Sequence, residues 1–132
     1  MVRLDTNIIV RYVVQDDVHQ AAIANRIIDE EISNANKGFI PTAVLCETLW
    51  VLARAYKYRR ESIKLTLDTL LHTETLEFEH RECVWKAYED FSRSAADFVD
   101  CLVGHVNRKH GAQPTLTFDR DASRLEYFRL AQ

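Results

Sequence analysis

The sequence predicts an α/β fold in which a mainly parallel sheet carries helices on both faces. Three observations point that way. Strand-like and helix-like stretches alternate along the whole chain, and the 132 residues are 47% hydrophobic with only three Gly and two Pro. Acidic residues also stand where strands end or helices begin. Such alternation in a short domain is the pattern of parallel sheets, whose ligands collect outside the carboxyl ends of the strands. At 15.4 kDa, folding removes roughly 68% of the surface of the unfolded chain, enough for a core without staples.

Each element follows from local pattern. Val2-Arg3-Leu4 reads as a strand that ends at Asp5-Thr6-Asn7, side chains suited to cap a helix over Ile8 to Val14. From His19 to Ser33, apolar residues near the 3.6 period predict a helix, which ends in the turn Asn34-Ala-Asn-Lys-Gly38. Phe39-Ile40-Pro41 is a second strand. Thr42 to Lys57 reads as a long helix in which Glu47 shares a face with Val44 and Val51. That helix runs out in Arg54, Lys57, Arg59 and Arg60, cations at the end its dipole favours. Glu61 to Leu71 is amphipathic, Thr75 to Glu79 alternates as a strand does, and Arg81 to Phe91 places Val84, Trp85, Tyr88 and Phe91 on one helical stripe. Ser94 opens a helix that continues through His110, with Phe98, Cys101, Leu102 and Val106 toward the core. Gly111 ends it, and Pro114 to Phe118 is a strand running into Asp119. There is no repeat or linker, so residues 1–132 are expected to form a single domain.

Composition excludes several classes. Three widely spaced cysteines, Cys46, Cys83 and Cys101, with no C-x-x-C pair, argue against a secreted disulfide framework and against a zinc site, so a cytoplasmic protein is expected. A carboxylate arrives by Asp5, which leaves no room for a signal-peptide pattern, and no stretch approaches the roughly 20 apolar residues of a membrane span. The net charge of −3 opposes a broad electrostatic grip on nucleic acid, so any polyanion must be held locally or through bound cations. The five histidines form no H-E-x-x-H, and no G-x-S-x-G, P-loop or G-x-G-x-x-G occurs. Cys46 lacks an evident His partner and reads as packing. His105 reads as a helix-face residue, and Trp50, Trp85 and Tyr88 as packing rather than base-stacking platforms.

The remaining chemistry is acidic. Asp5 and Asp119 each end a strand, Asp97 and Asp100 begin a helix, and Glu47 lies on a mostly apolar helix. Two carboxylates 4 Å apart repel by roughly 4 kcal/mol at an effective dielectric of 20, so three together either protonate or gather a cation. All-oxygen ligands favour Mg²⁺ or Mn²⁺, the ions of phosphodiester hydrolysis. Structural roles compete with this reading. Asp5 and Asp97 suit helix caps, Glu47 can pair with Arg54 or Lys57, and Asp119 suits a turn. Arg54, Lys57, Arg59 and Arg60, interleaved with Tyr56 and Tyr58, read equally as a phosphate grip or a solvated helix end.

Leu4-Asp5-Thr6-Asn7, Glu47 in Leu45-Cys-Glu-Thr-Leu-Trp-Val-Leu52, Asp97-Phe-Val-Asp100 and Leu116-Thr-Phe-Asp119 together resemble PIN-domain ribonucleases, in particular the VapC-like toxins of bacterial toxin–antitoxin pairs. The resemblance spans essentially the whole chain. It implies a PIN-like three-layer sandwich with a mainly parallel central sheet flanked by helices, a pocket for Mg²⁺ (or Mn²⁺), and endonucleolytic cleavage of RNA. On that resemblance Asp5 and Asp100 are the main metal ligands, Asp119 completes the shell, and Glu47 orients a water. Asp97 matches the first acid of the D-F-x-D form, and Thr117 helps position substrate or water. Gly104 and Cys101 stand where members usually carry a small residue such as Ala, a departure that touches packing. A homodimer and a cognate antitoxin are further implied partners. The alternatives are a PIN nuclease of RNA processing and a non-cleaving RNA-binding PIN domain. A phosphoryl-accepting receiver module would need paired acids after the first strand and a Lys after the last, where this chain has Asp5-Thr6-Asn7 and Asp119-Arg120.

Overall fold

Five short strands and six α-helices alternate in the computed structural model, which describes residues 1–111 and 113–132. They divide into two compact units, residues 1–79 and 80–132.

In the first unit, β1 (Val2–Arg3), β2 (Gly38–Ile40) and β3 (Leu76–Phe78) form a sheet in that order, all parallel. Parallel neighbours need crossovers, and helices supply both. Between β1 and β2 run α1 (Thr6–Val14) and α2 (Val18–Arg26), the latter continued by a π-helical turn, Ile27–Glu31, so the predicted helix over 19–33 changes winding near its end. Between β2 and β3 run α3 (Thr42–Arg54) and α4 (Arg60–Leu71). The core gathers Leu4, Ile9, Val10, Ile40, Leu45, Leu49, Leu52, Leu67, Leu76 and Phe78, all buried.

Two sequence expectations in this unit need correction. Helix α3 stops at Arg54 rather than Lys57, because Lys57 takes a left-handed conformation at φ 59° and the Tyr58 N–H turns back to the Leu52 carbonyl at 3.0 Å. Arg59 and Arg60 therefore sit at the start of α4, the end a helix dipole makes unfavourable for cations. Trp50 is also not core packing. The buried stripe of α3 is Leu45, Thr48, Leu49 and Leu52, whereas Trp50 is 60% exposed.

In the second unit, α5 (Arg81–Arg93) packs on α6 (Phe98–His110), and β4 (Thr115–Thr117) pairs in parallel with β5 (Phe128–Leu130). Val84, Ala87, Phe91, Phe98, Cys101 and Leu102 are buried, with a smaller apolar group of Ala122, Tyr127 and Phe128. Helix α6 starts at Phe98 rather than Ser94, since the Ser94 hydroxyl accepts the Ala96 N–H at 3.2 Å in a turn that precedes the helix. A glycine is required at position 104: a Cβ there would lie 2.5 Å from Phe128 Cε2 and as close to the Tyr127 ring.

His105 lies on a face of α6, as expected, and that face is turned inward. It is buried, and its Nε2 lies 2.7 Å from Asp90 Oδ2, which also accepts the Tyr127 hydroxyl at 2.6 Å. The two rings lie 4.3 Å apart between centroids. Burial opposes the Asp90 charge, but the hydrogen bonds with Tyr127 and His105, the charge of His105 and the hydrogen bond from Arg93 together outweigh it and hold the carboxyl below its ordinary range.

Among the described residues, no helix is long and apolar enough to cross a membrane.

Candidate functional site

The first two acids stand where the topology predicts. Asp5 follows the carboxyl end of β1 and occupies the N-cap of α1, its Oδ1 accepting the Thr6 N–H at 2.8 Å. The cap and the functional reading coexist, because capping uses one of two carboxylate oxygens. Glu47 lies in the second turn of α3, which begins directly after β2 and Pro41. It is exposed, and its partner is the buried Thr6, whose hydroxyl donates to Glu47 Oε1. That bond joins residues 41 apart, so periodicity alone did not reveal it. The only local signal was a hydroxyl in the second place of Asp5-Thr6-Asn7. Thr6 thus fixes one oxygen of Glu47 and leaves its second to face other chemistry.

The other three acids belong to the second unit. Asp97 is the N-cap of α6 but makes no side-chain capping bond, unlike Asp5. Asp100, half-buried, lies in the first turn of the same helix. Asp119 follows β4; its Oδ1 accepts the Ala122 N–H at 2.8 Å, and its own N–H donates to Thr117 Oγ1 at 3.0 Å. The turn role is therefore realised, and Thr117 acts on Asp119 by fixing its backbone. Burial pushes the Asp100 carboxyl above its ordinary range, and the negative charges of Asp97 and Asp119 push it further. Asp97, Asp100 and Asp119 are thus brought within electrostatic reach of one another.

The donors fit a hard divalent ion. All are carboxylates, without the thiolate or imidazole that zinc or copper sites favour. Among the described residues no three His, Cys, Asp or Glu side chains close into a ready-made metal cage. Mg²⁺ requires none, since it binds through one or two carboxylates and completes its shell with waters and substrate phosphates. Asp5 and Glu47 in the first unit are exposed, as are Asp97 and Asp119 in the second. A cavity of about 370 Å³ lined by Tyr12, Tyr58, Leu65 and Leu70 includes none of the five acids. Cys101, next to Asp100, is no competing nucleophile: burial pushes its thiol up to about 11.

A family model described as PIN domain matches residues 2–126. The chain belongs to the PIN domain family. This PIN domain is also 25% identical over 124 residues to a protein named VapC ribonuclease from Aquifex aeolicus (strain VF5), an alignment that covers 94% of this chain and 91% of that protein. The α/β architecture with all-parallel strand pairing accords with that membership.

Proposed function

We propose that this PIN domain is a divalent-metal-dependent endoribonuclease, the toxin of a type II toxin–antitoxin pair. The observation that carries the reading is Asp100, half-buried at the start of α6, with burial and two neighbouring carboxylates raising its pKa. A site that penalises its own charge in this way gains most from a cation. Membership of the PIN family and similarity to a protein named VapC ribonuclease supply the reaction class.

In this reading residues 1–132 act as one catalytic domain. Asp5 and Asp100 would hold Mg²⁺ or Mn²⁺, with Asp119 completing the set and Asp97 adding negative charge beside Asp100. Held there, such an ion would supply charge neutralisation at the phosphate and a lowered pKa for water. Glu47, with Oε1 held by the Thr6 hydroxyl, orients the attacking water through its other oxygen and takes up its proton. The water oxygen bonds to phosphorus as the bond to the leaving ribose oxygen breaks, and that oxygen takes a proton from solvent, which is hydrolysis without any covalent enzyme intermediate. A cognate antitoxin that silences the site, a homodimer and a cytoplasmic place of action complete the proposal.

The test is cleavage of a labelled structured RNA by purified protein with Mg²⁺, with Mn²⁺ and with EDTA. Cutting that appears with either ion and stops with EDTA supports the proposal. Cutting that EDTA leaves unchanged refutes the metal dependence. Saturable RNA binding with no cutting under any condition favours a non-cleaving PIN domain.

A further inference from the structure

Trp50 is the unexplained residue of α3. It is 60% exposed, on a helix whose apolar stripe is already complete without it. Glu47, Trp50 and Arg54 follow one another at offsets of three and four, so they form one stripe along the helix. All three are exposed. The Arg54 guanidinium carbon lies 5.4 Å from the centre of the Trp50 ring, within the range of a cation–π contact. An aromatic surface with an adjoining cation is what single-stranded nucleic acid requires, because bases stack on the ring while the cation meets the backbone. The helical rise of 1.5 Å per residue places Trp50 only about 4.5 Å along the axis from Glu47.

We infer that Trp50 and Arg54 form a subsite for single-stranded RNA, in which the indole stacks a base beside the scissile phosphodiester and Arg54 meets an adjoining phosphate. The inference rests on the ribonuclease reading above and assigns substrate contacts to that same site. It also addresses how a chain of net charge −3 holds a polyanion: the cation is placed locally, on the helix that carries Glu47. Stacking tolerates any base, so this subsite supplies affinity and position rather than sequence reading.

The experiment uses the full chain carrying Asp100→Asn, without metal, titrated with a short fluorescein-labelled single-stranded RNA and followed by anisotropy. Adding Trp50→Ala raises Kd about tenfold, the change that about 1.4 kcal/mol of stacking represents. Trp50→Phe, which keeps a ring, recovers most of that loss. Adding Arg54→Ala instead weakens binding and lowers the slope of affinity against salt by about one. With Asp100 intact, Trp50→Ala raises KM for RNA while kcat stays near that of the wild type. If the wild type cuts RNA yet Trp50→Ala leaves Kd and KM unchanged, this inference falls and the nuclease reading stands. If Trp50→Ala dissociates a dimer while affinity per protomer stays constant, the indole serves a contact between copies and the inference is overturned. If the wild type neither binds nor cuts RNA, the ribonuclease reading fails and the subsite fails with it.

Discussion

In residues 1–79 the two acids are tied to donors: Asp5 takes the Thr6 N–H and Glu47 the Thr6 hydroxyl. In residues 80–132 the key acid is surrounded differently, for Asp100 meets burial and the charges of Asp97 and Asp119. The difference lies in how each charge is compensated. Asp5 and Glu47 each accept a hydrogen bond from their own fold, whereas Asp100 gains most from an ion brought from outside. Thr6 links the first pair, and a bound cation is expected to do the equivalent for the second group.

The strongest way to break this contrast is Asp100→Asn. Loss of an orienting residue around a metal commonly costs 10–100-fold, so with Asp100 as the proposed metal ligand its loss should reduce RNA cleavage by more than about a hundredfold in a single-turnover assay. Activity within a fewfold of the wild type would remove Asp100 from the site.

The second unit also holds a carboxylate compensated in the manner of the first. Asp90 accepts from Tyr127 and lies within hydrogen-bond distance of His105 Nε2, so Asp90→Ala orphans two buried groups and should cost about 2–3 kcal/mol in denaturant melts at neutral pH. The folded-state pKa of Asp90 lies below its unfolded value, so the unfolded chain binds the proton first. Its contribution is therefore present above the ordinary carboxylate range and is lost as pH falls through that range and below. The stability gap between wild type and Asp90→Asn should shrink on acidification; a gap that widens contradicts the assignment.

A smaller effect separates the two acids of the first unit. Thr6→Val keeps the shape of the buried side chain but removes the hydroxyl that holds Glu47, and should lower kcat about tenfold, while Thr6→Ser restores it. Equal losses for Val and Ser would mean that packing, not the bond to Glu47, is at stake. Smallest of all, Asp100→Asn should raise the metal-free melting temperature by about 1–3 °C, since it removes a charge opposed by burial and by two like charges. Calorimetric scans in EDTA check this.

Much of the fold was legible because its helices carry strong local periodicity; all six appear within a few residues of their expected places. Misplaced ends trace to turns that compete with the helix, at Lys57 for α3 and at Ser94 for α6. Strand β5 was missed because Phe128–Leu130 is only three residues long and defined by its pairing with β4. The five acids could be singled out since each stands at a strand end or on the early part of a helix. What stayed hidden was long-range: the Thr6–Glu47 bond spans 41 residues and the His105–Asp90 pair spans 15. Helical period located a stripe through Trp50 but did not say whether that stripe meets core or solvent.

The proposal that Asp5 and Asp100 are the metal ligands is tested most directly by calorimetric titration of Mn²⁺ into metal-free wild type, Asp5→Asn and Asp100→Asn, with RNA cleavage measured on the same samples. The account predicts saturable binding by the wild type and parallel loss of binding and cleavage in each variant. Unchanged Mn²⁺ affinity and undiminished cleavage in both variants would contradict it.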